Sequence, residues 1–140
     1  GRIVDIDGTT NGVQFFNIIP SNTYYIVVRH RNHLDVISST AVMLPNATAY
    51  DFTTLANVQM ADAGNVQMAE LSTGIYGLFA GDTNGDGTMT YQDFNYYLFE
   101  QNNGSTYSDA DCNLDTSVDV LDFLRYYENA PLIGLDIIRY

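Results

Sequence analysis

The sequence predicts a mainly β protein with a small α module: an antiparallel β-sandwich, a pair of loop-and-helix units, and a C-terminal strand. Three observations carry this expectation. The first 80 residues hold many short runs rich in β-branched and aromatic side chains, punctuated by Gly, Pro and Asn turns. From residue 81 to 130 the pattern changes to acidic turns followed by apolar positions at helical spacing. After Pro131 comes LIGLDIIRY, which has strong β character and no turn of its own. The expected division is 1–80 for the sandwich, 81–130 for the helical module and 131–140 for the last strand.

The strand candidates, in order, are Arg2–Ile6, Val13–Ile19, Thr23–Arg31, Asp35–Ser39, Ala41–Leu44, Ala49–Thr53 and Ile75–Phe79. Between them lie Asp7-Gly8, Asn11-Gly12, Pro20-Ser21-Asn22, Pro45-Asn46 and Ser72-Thr73-Gly74. Short strands this close together suit a sandwich or barrel rather than a βαβ unit. Residues 55–71 carry NVQMA at 57–61 and again at 65–69, read as a hairpin around Ala63-Gly64 with a short helix close behind. Two further helices are predicted. Residues 91–101 put Phe94, Tyr97 and Leu98 on one face, and residues 120–128 do the same with Leu121, Leu124 and Tyr127. Those faces are expected to pack together as an antiparallel pair.

Charge narrows the function classes. Seventeen Asp and Glu stand against five basic residues, all Arg, for a formal net charge of −12 over 140 residues. Such a chain repels nucleic acid and attracts divalent cations. Many of the acids fall in 82–93 and 109–122, segments that would repel themselves without a bound cation. Hydrophobic content of 46 % fits a globular chain. No apolar run approaches the roughly 18–20 residues of a membrane helix. The lone Cys112 permits no internal disulfide. The chain starts at Gly1, which reads as a mature or excised product.

The stretch GDTNGDGTMTYQDF, residues 81–94, explains the charge. A calcium loop of the EF-hand type takes oxygen ligands at positions 1, 3, 5, 7, 9 and 12, with a sharp turn at 6. Asp82, Asn84, Asp86, Thr88, Thr90 and Asp93 fill the ligand positions, and Gly87 fills the turn. A step of 29 residues reproduces the set as Asp111, Asn113, Asp115, Ser117, Asp119 and Asp122. It also carries Met89 onto Val118, Phe94 onto Phe123 and Tyr97 onto Tyr126. The expectation is two Ca2+ sites. The second has four carboxylates where the first has three, but its position 6 is Thr116, a β-branched residue that resists positive φ. The first loop is therefore expected to lie nearer ideal geometry.

A calcium loop followed by a helix, repeated and lacking the entering helix of a full EF-hand, resembles the dockerin type I module over residues 81–129. The resemblance implies that the duplicated loops fold a small helical module that docks into a cohesin receptor. Partner choice in dockerins rests largely on positions 10 and 11, often a Ser-Thr type pair. Here they are Tyr91-Gln92 and Val120-Leu121, a departure that touches cohesin docking and leaves calcium binding intact. Upstream, YYIVVRHRNHLDVIS at 24–38 and GIYGLFAGDTNGDG at 74–87 look like a C-terminal region of large secreted Bacteroidetes-type surface proteins, in which a β-sandwich runs into a dockerin-like segment. That likeness implies an extracellular, modular, non-catalytic role. Millimolar calcium is an extracellular condition, and calcium replaces disulfides in many exported modules, so the expected location is extracellular or at the cell surface.

Other candidate sites are weaker. Arg29-His30-Arg31-Asn32-His33 is the one concentration of positive charge, and two His without Cys or a second His pair make no zinc set. Its expected role is a strand end whose Arg side chains pair with Asp35 or with the calcium loops. No G-x-S-x-G elbow, H-E-x-x-H or phosphate-binding glycine loop is present, so no enzyme is expected. Asn46-Ala47-Thr48 and Asn103-Gly104-Ser105 fit the glycosylation pattern and suggest exposed loops.

The functional expectation is a structural protein whose partners are other proteins, copies of itself first. Terminal strands at Arg2–Ile6 and 132–140 would add to the sheet of a neighbour, and a head-to-tail contact that does not close gives a fibre or tube. Two alternatives stand beside it. One is a docking or adhesion module of a larger secreted protein, with a cohesin-like receptor. The other is a carbohydrate-binding module using some of the eleven Tyr and seven Phe, though no Trp is present.

Overall fold

A computed structural model describes residues 17–46, 48–59, 68–103 and 107–132. They form three two-stranded antiparallel sheets and two α-helices. The predicted β-rich character with two helices holds, as a small mixed fold.

The predicted strand Thr23–Arg31 is two strands, β1 (Asn22–Tyr24) and β2 (Val27–His30). The break falls at Tyr25-Ile26, where the Ile26 amide turns to the Ser38 hydroxyl instead of a strand partner. β1 pairs with β4 (Val42–Leu44), and β2 pairs with β3 (His33–Ile37) through a tight turn at Arg31-Asn32. β5 (Met68–Ser72) and β6 (Ile75–Leu78) close a hairpin over Thr73-Gly74, where Gly74 takes φ of 76°. β5 occupies residues read as a short helix. The hairpin partner decides this, because Ala69 and Glu70 find their ladder bonds on Gly77 and Tyr76. Ala49–Thr53 is not a strand. Asp51 instead accepts the Thr53 amide and both threonine hydroxyls, a local turn that competes with a ladder. A 3-10 turn follows at Leu55–Asn57. Residues 17–19 form no strand, while the rest of Val13–Ile19, with Arg2–Ile6, the Ala63-Gly64 hairpin and residues 133–140, lies outside the described residues. So do Ala47 and Gly104-Ser105 of the two glycosylation triplets.

The helices are α1 (Tyr91–Glu100) and α2 (Val120–Glu128), close to the predicted spans. Their packing corrects the second predicted face. Leu121, Leu124 and Tyr127 are 50 %, 43 % and 63 % exposed, and the buried residues of α2 are Asp122 and Tyr126. The 29-residue repeat pointed correctly here, since Phe123 and Tyr126 meet Phe94 and Tyr97 across the helix pair. Asp122 explains the rotation: its carboxylate is held inward by the loop, and Tyr126, four residues on, lies on the same face. Leu98 is likewise exposed on α1.

Strand β3 joins two hydrophobic clusters. Leu34 and Val36 lie on the same face at strand period 2 and are both fully buried. Leu34 packs with Met89 and Tyr126, flanked by Phe79, Phe94, Phe123 and Leu132. Val36 packs with Val58 and Met68, flanked by Val28, Phe52, Leu55, Tyr76 and Leu78. The β region and the acidic module therefore share apolar packing across Gly81. At Gly81, with φ of 125°, a Cβ would come within 2.9 Å of the Met89 methyl and 3.3 Å of the Tyr126 backbone.

Candidate metal centre

Each acidic loop is built around the carboxylate at its first position. Asp82 accepts the amides of Asp86 at 3.1 Å and Gly87 at 2.9 Å, and Asp111 accepts those of Asp115 and Thr116, both at 3.1 Å. The third and fifth positions interlock in the same way. Asn84 accepts the Asp86 amide and donates from Nδ2 to Asp86, while Asn113 repeats both bonds with Asp115. Asp86 and Asp115 then accept the amides of Thr88 and Ser117 at 2.9 Å. Positions 4 and 6 take the left-handed turn in both loops, at Gly85 (φ 69°) and Gly87 (φ 85°), and at Leu114 (φ 63°) and Thr116 (φ 75°). At Thr116 a β-branched residue occupies positive φ, the conformation such residues resist.

The ninth and twelfth positions do double duty at the helix starts. Thr90 and Asp119 are the N-caps of α1 and α2, each accepting an amide two residues on. Asp93 and Asp122 sit at N3 and bond back to the cap amides at 2.7 and 2.8 Å, closing two capping boxes. Their other oxygens accept the amides of Asn84 and Asn113, both at 3.1 Å. A single carboxylate thus ties the helix start to the loop start. The T-x-x-D and D-x-x-D spacing is the sequence signal of these boxes.

Electrostatics then poses a problem. Asp82, Asp93, Asp111 and Asp122 are 2 %, 0 %, 3 % and 1 % exposed. Burial raises the Asp82 carboxyl to about 6, helped by the nearby Asp93 and Asp86 charges and opposed by its amide bonds. Among the described residues, the one salt bridge reaching any of the four is Arg31 to Asp111 at 3.7 Å. Their compensation comes mainly from backbone amides, two to each carboxylate, rather than from cationic side chains. A carboxylate has about four lone-pair sites, so oxygens that each hold one or two amides keep acceptor capacity for a cation. The donor set is hard oxygen throughout, the chemistry that suits calcium. Among the described residues no three His, Cys, Asp or Glu side chains converge into a tight cluster, since these carboxylates are turned toward backbone amides. Cys112 offers no thiolate: burial, then Asp122 and Asp111, push its thiol up to about 12.

The two units are cross-linked reciprocally. The Tyr97 hydroxyl of α1 donates to the Asp119 carbonyl at 3.0 Å, and the Tyr126 hydroxyl of α2 donates to the Thr90 carbonyl at 3.1 Å. Sequence reasoning used both tyrosines as apolar positions and missed these bonds, although the 29-residue step pairs them. It also missed Asn32, which is fully buried and donates from Nδ2 to the Asp111 carbonyl at 2.7 Å. The Arg expectation held on both counts, with Arg29 on Asp35 at 2.9 Å and Arg31 on Asp111. His30 and His33 face each other through their Nδ1 atoms at 2.9 Å, and His33 also meets Asn32 Oδ1 at 2.7 Å. Burial, then His30 and Arg31, lower His33 to about 4.

No helix among the described residues is long and apolar enough to cross a membrane. No protein-family model, curated protein or solved structure matches this chain, so its reading rests on its own residues.

Proposed function

We propose that this is a non-catalytic extracellular structural protein in which two dockerin-like calcium loops fold and stiffen a small helical module beside a β-sandwich. The observation that carries the reading is the pair of matching loops, in which four carboxylates are buried and Asp111 alone among them has a salt bridge among the described residues. Asp82, Asn84, Asp86, Thr88, Thr90 and Asp93 would hold one ion, and Asp111, Asn113, Asp115, Ser117, Asp119 and Asp122 the other. Calcium supplies positive charge to these buried carboxylates, so metal binding and folding of the segment are one equilibrium.

The module then works by joining proteins, copies of itself first, in a surface fibre or tube. Tyr91, Val120 and Leu121 are exposed at positions 10 and 11 of the loops, which supports a protein-facing surface there. The same observation supports the alternative of a docking or adhesion module for a cohesin-like receptor.

Excess chelator tests the calcium reading: the far-UV helical signal should fall and return with added calcium. Unchanged spectra, with no heat on calcium titration, would sink it. Electron microscopy of the calcium-loaded chain separates the two roles, with regular filaments for assembly and dispersed monomers for docking.

A further inference from the structure

The tip of the β2–β3 turn is seated against the two loops unequally. On the second loop it presents side chains. Arg31 Nη2 lies 3.7 Å from Asp111 Oδ2, and the guanidinium carbon stands 4.1 Å from the centre of the Tyr107 ring. Arg31 Nη1 is buried without a hydrogen-bond partner. Asn32 fixes the seat from both sides, donating to the Asp111 carbonyl at 2.7 Å while its own carbonyl accepts the Gly81 amide at 3.0 Å. On the first loop the Arg31 carbonyl oxygen stands 3.4 Å from where a Cβ on Gly85 would be. None of the salt bridges among the described residues reaches Asp82, Asp86 or Asp93.

The charges follow the same asymmetry. The first loop carries three carboxylates, Asp82, Asp86 and Asp93, and the second carries four, Asp111, Asp115, Asp119 and Asp122. Four negative charges and one guanidinium leave the second loop with the same net charge as the first.

We propose that Arg31 is a built-in counter-cation of the second loop, holding that loop's calcium affinity below the level its four carboxylates would otherwise reach. The inference rests on the calcium reading above. Before calcium arrives, the guanidinium relieves repulsion among the carboxylates, so the metal-poor loop is less strained. When calcium binds, it meets a positive charge already resting on Asp111, and the repulsion between the two cations subtracts from affinity. A residue that only held the turn in place would act with the opposite sign, because its loss would disorder the site and weaken binding.

Calorimetric calcium titration of the full chain decides between these signs. It is run on Arg31→Gln and Arg31→Lys, each also combined with Asp86→Ala. Asp86 is exposed, so its loss weakens the first loop while leaving the cap of α1 in place. Arg31→Gln should tighten the second site by roughly five- to tenfold, the size of a like-charge interaction across a few ångströms in a water-like dielectric. Arg31→Lys keeps the charge and should stay within about twofold of the unmodified chain. An unchanged or weaker second site in Arg31→Gln overturns the proposal. Should Arg31→Gln fail to fold, Tyr107→Leu alters an exposed ring that steadies the guanidinium, and should tighten the second site by about twofold. Weaker binding there overturns the proposal equally. Absence of calcium binding by the unmodified chain overturns the calcium reading and this inference together, an outcome distinct from a wrong sign at Arg31.

Discussion

Loop one makes its two left-handed turns with Gly85 and Gly87, and loop two makes the same turns with Leu114 and Thr116. The backbone-amide bonds onto the first-, third-, fifth- and twelfth-position side chains nonetheless recur in both loops, with lengths that agree to within about 0.2 Å. Left-handed backbone costs an L-residue roughly 1–2 kcal/mol, so the second loop carries a penalty the first avoids. What differs on the other side is the support each receives. Loop two gains a fourth carboxylate at Asp119 and the seat provided by Arg31 and Asn32. The lesson is that a loop scaffold fixed by its own carboxylates tolerates poor turn residues when tertiary contacts hold it from outside.

The largest test of that comparison removes the twelfth-position carboxylates. Asp93→Ala and Asp122→Ala each abolish a capping box, release two partly buried amides and, on the calcium reading proposed above, remove a ligand. Each should cost at least about 2 kcal/mol of stability and weaken one calcium site strongly. Asp122→Ala should cost less if the β2–β3 seat supports loop two. Denaturation midpoints together with calcium titration check this, and two full-strength sites in either variant would refute the ligand assignment.

A second test reaches the seat through pH. The His33 imidazole has an ordinary pKa of 6.5 and one of about 4 when folded, lowered by burial, then by His30 and Arg31. The unfolded chain therefore takes up the proton first. Stability from this group is complete above pH 6.5 and is lost as pH falls toward 4. The loss amounts to about 3 kcal/mol, and His33→Gln should flatten that part of the curve. An identical slope in His33→Gln would remove His33 from the account.

The smallest effects come from exchanging turn residues between loops. Gly87→Thr should cost about 1–2 kcal/mol through backbone conformation alone, since nothing lies within 4 Å of the added Cβ. Thr116→Gly should gain about 0.5–1 kcal/mol, the relief of strain being partly offset by the freer unfolded chain. If Thr116→Gly proves neutral, the second loop is held from outside firmly enough that its own strain no longer matters.

Much of this was readable in advance, for local reasons. The acidic turns occupy twelve consecutive residues each, so Asp82 to Asp93 and Asp111 to Asp122 declare themselves by spacing. Both helix starts follow, because the closing carboxylate of each turn, Asp93 or Asp122, is also the N3 residue of the cap. The face of α2 was harder. Leu121, Leu124 and Tyr127 have the same helical spacing as Phe123 and Tyr126, and periodicity alone does not choose between two such sets. β5 was missed because Met68–Ser72 has little β-branched character and becomes a strand only when β6 pairs with it.

Sequence by itself determined the two acidic loops, their 29-residue repeat, the helices that follow and the excess of negative charge. Tertiary structure decided which aromatic residues cross-link the halves, which way α2 turns, and that Asn32 reaches Asp111 across 79 residues. The physical reason is range. Ligand spacing and helix caps are set by neighbours within a turn or two, and the residue types announce them. The seating of the β2–β3 turn depends on Leu34, Met89 and Tyr126 burying one another, a packing that exists only once distant segments have met.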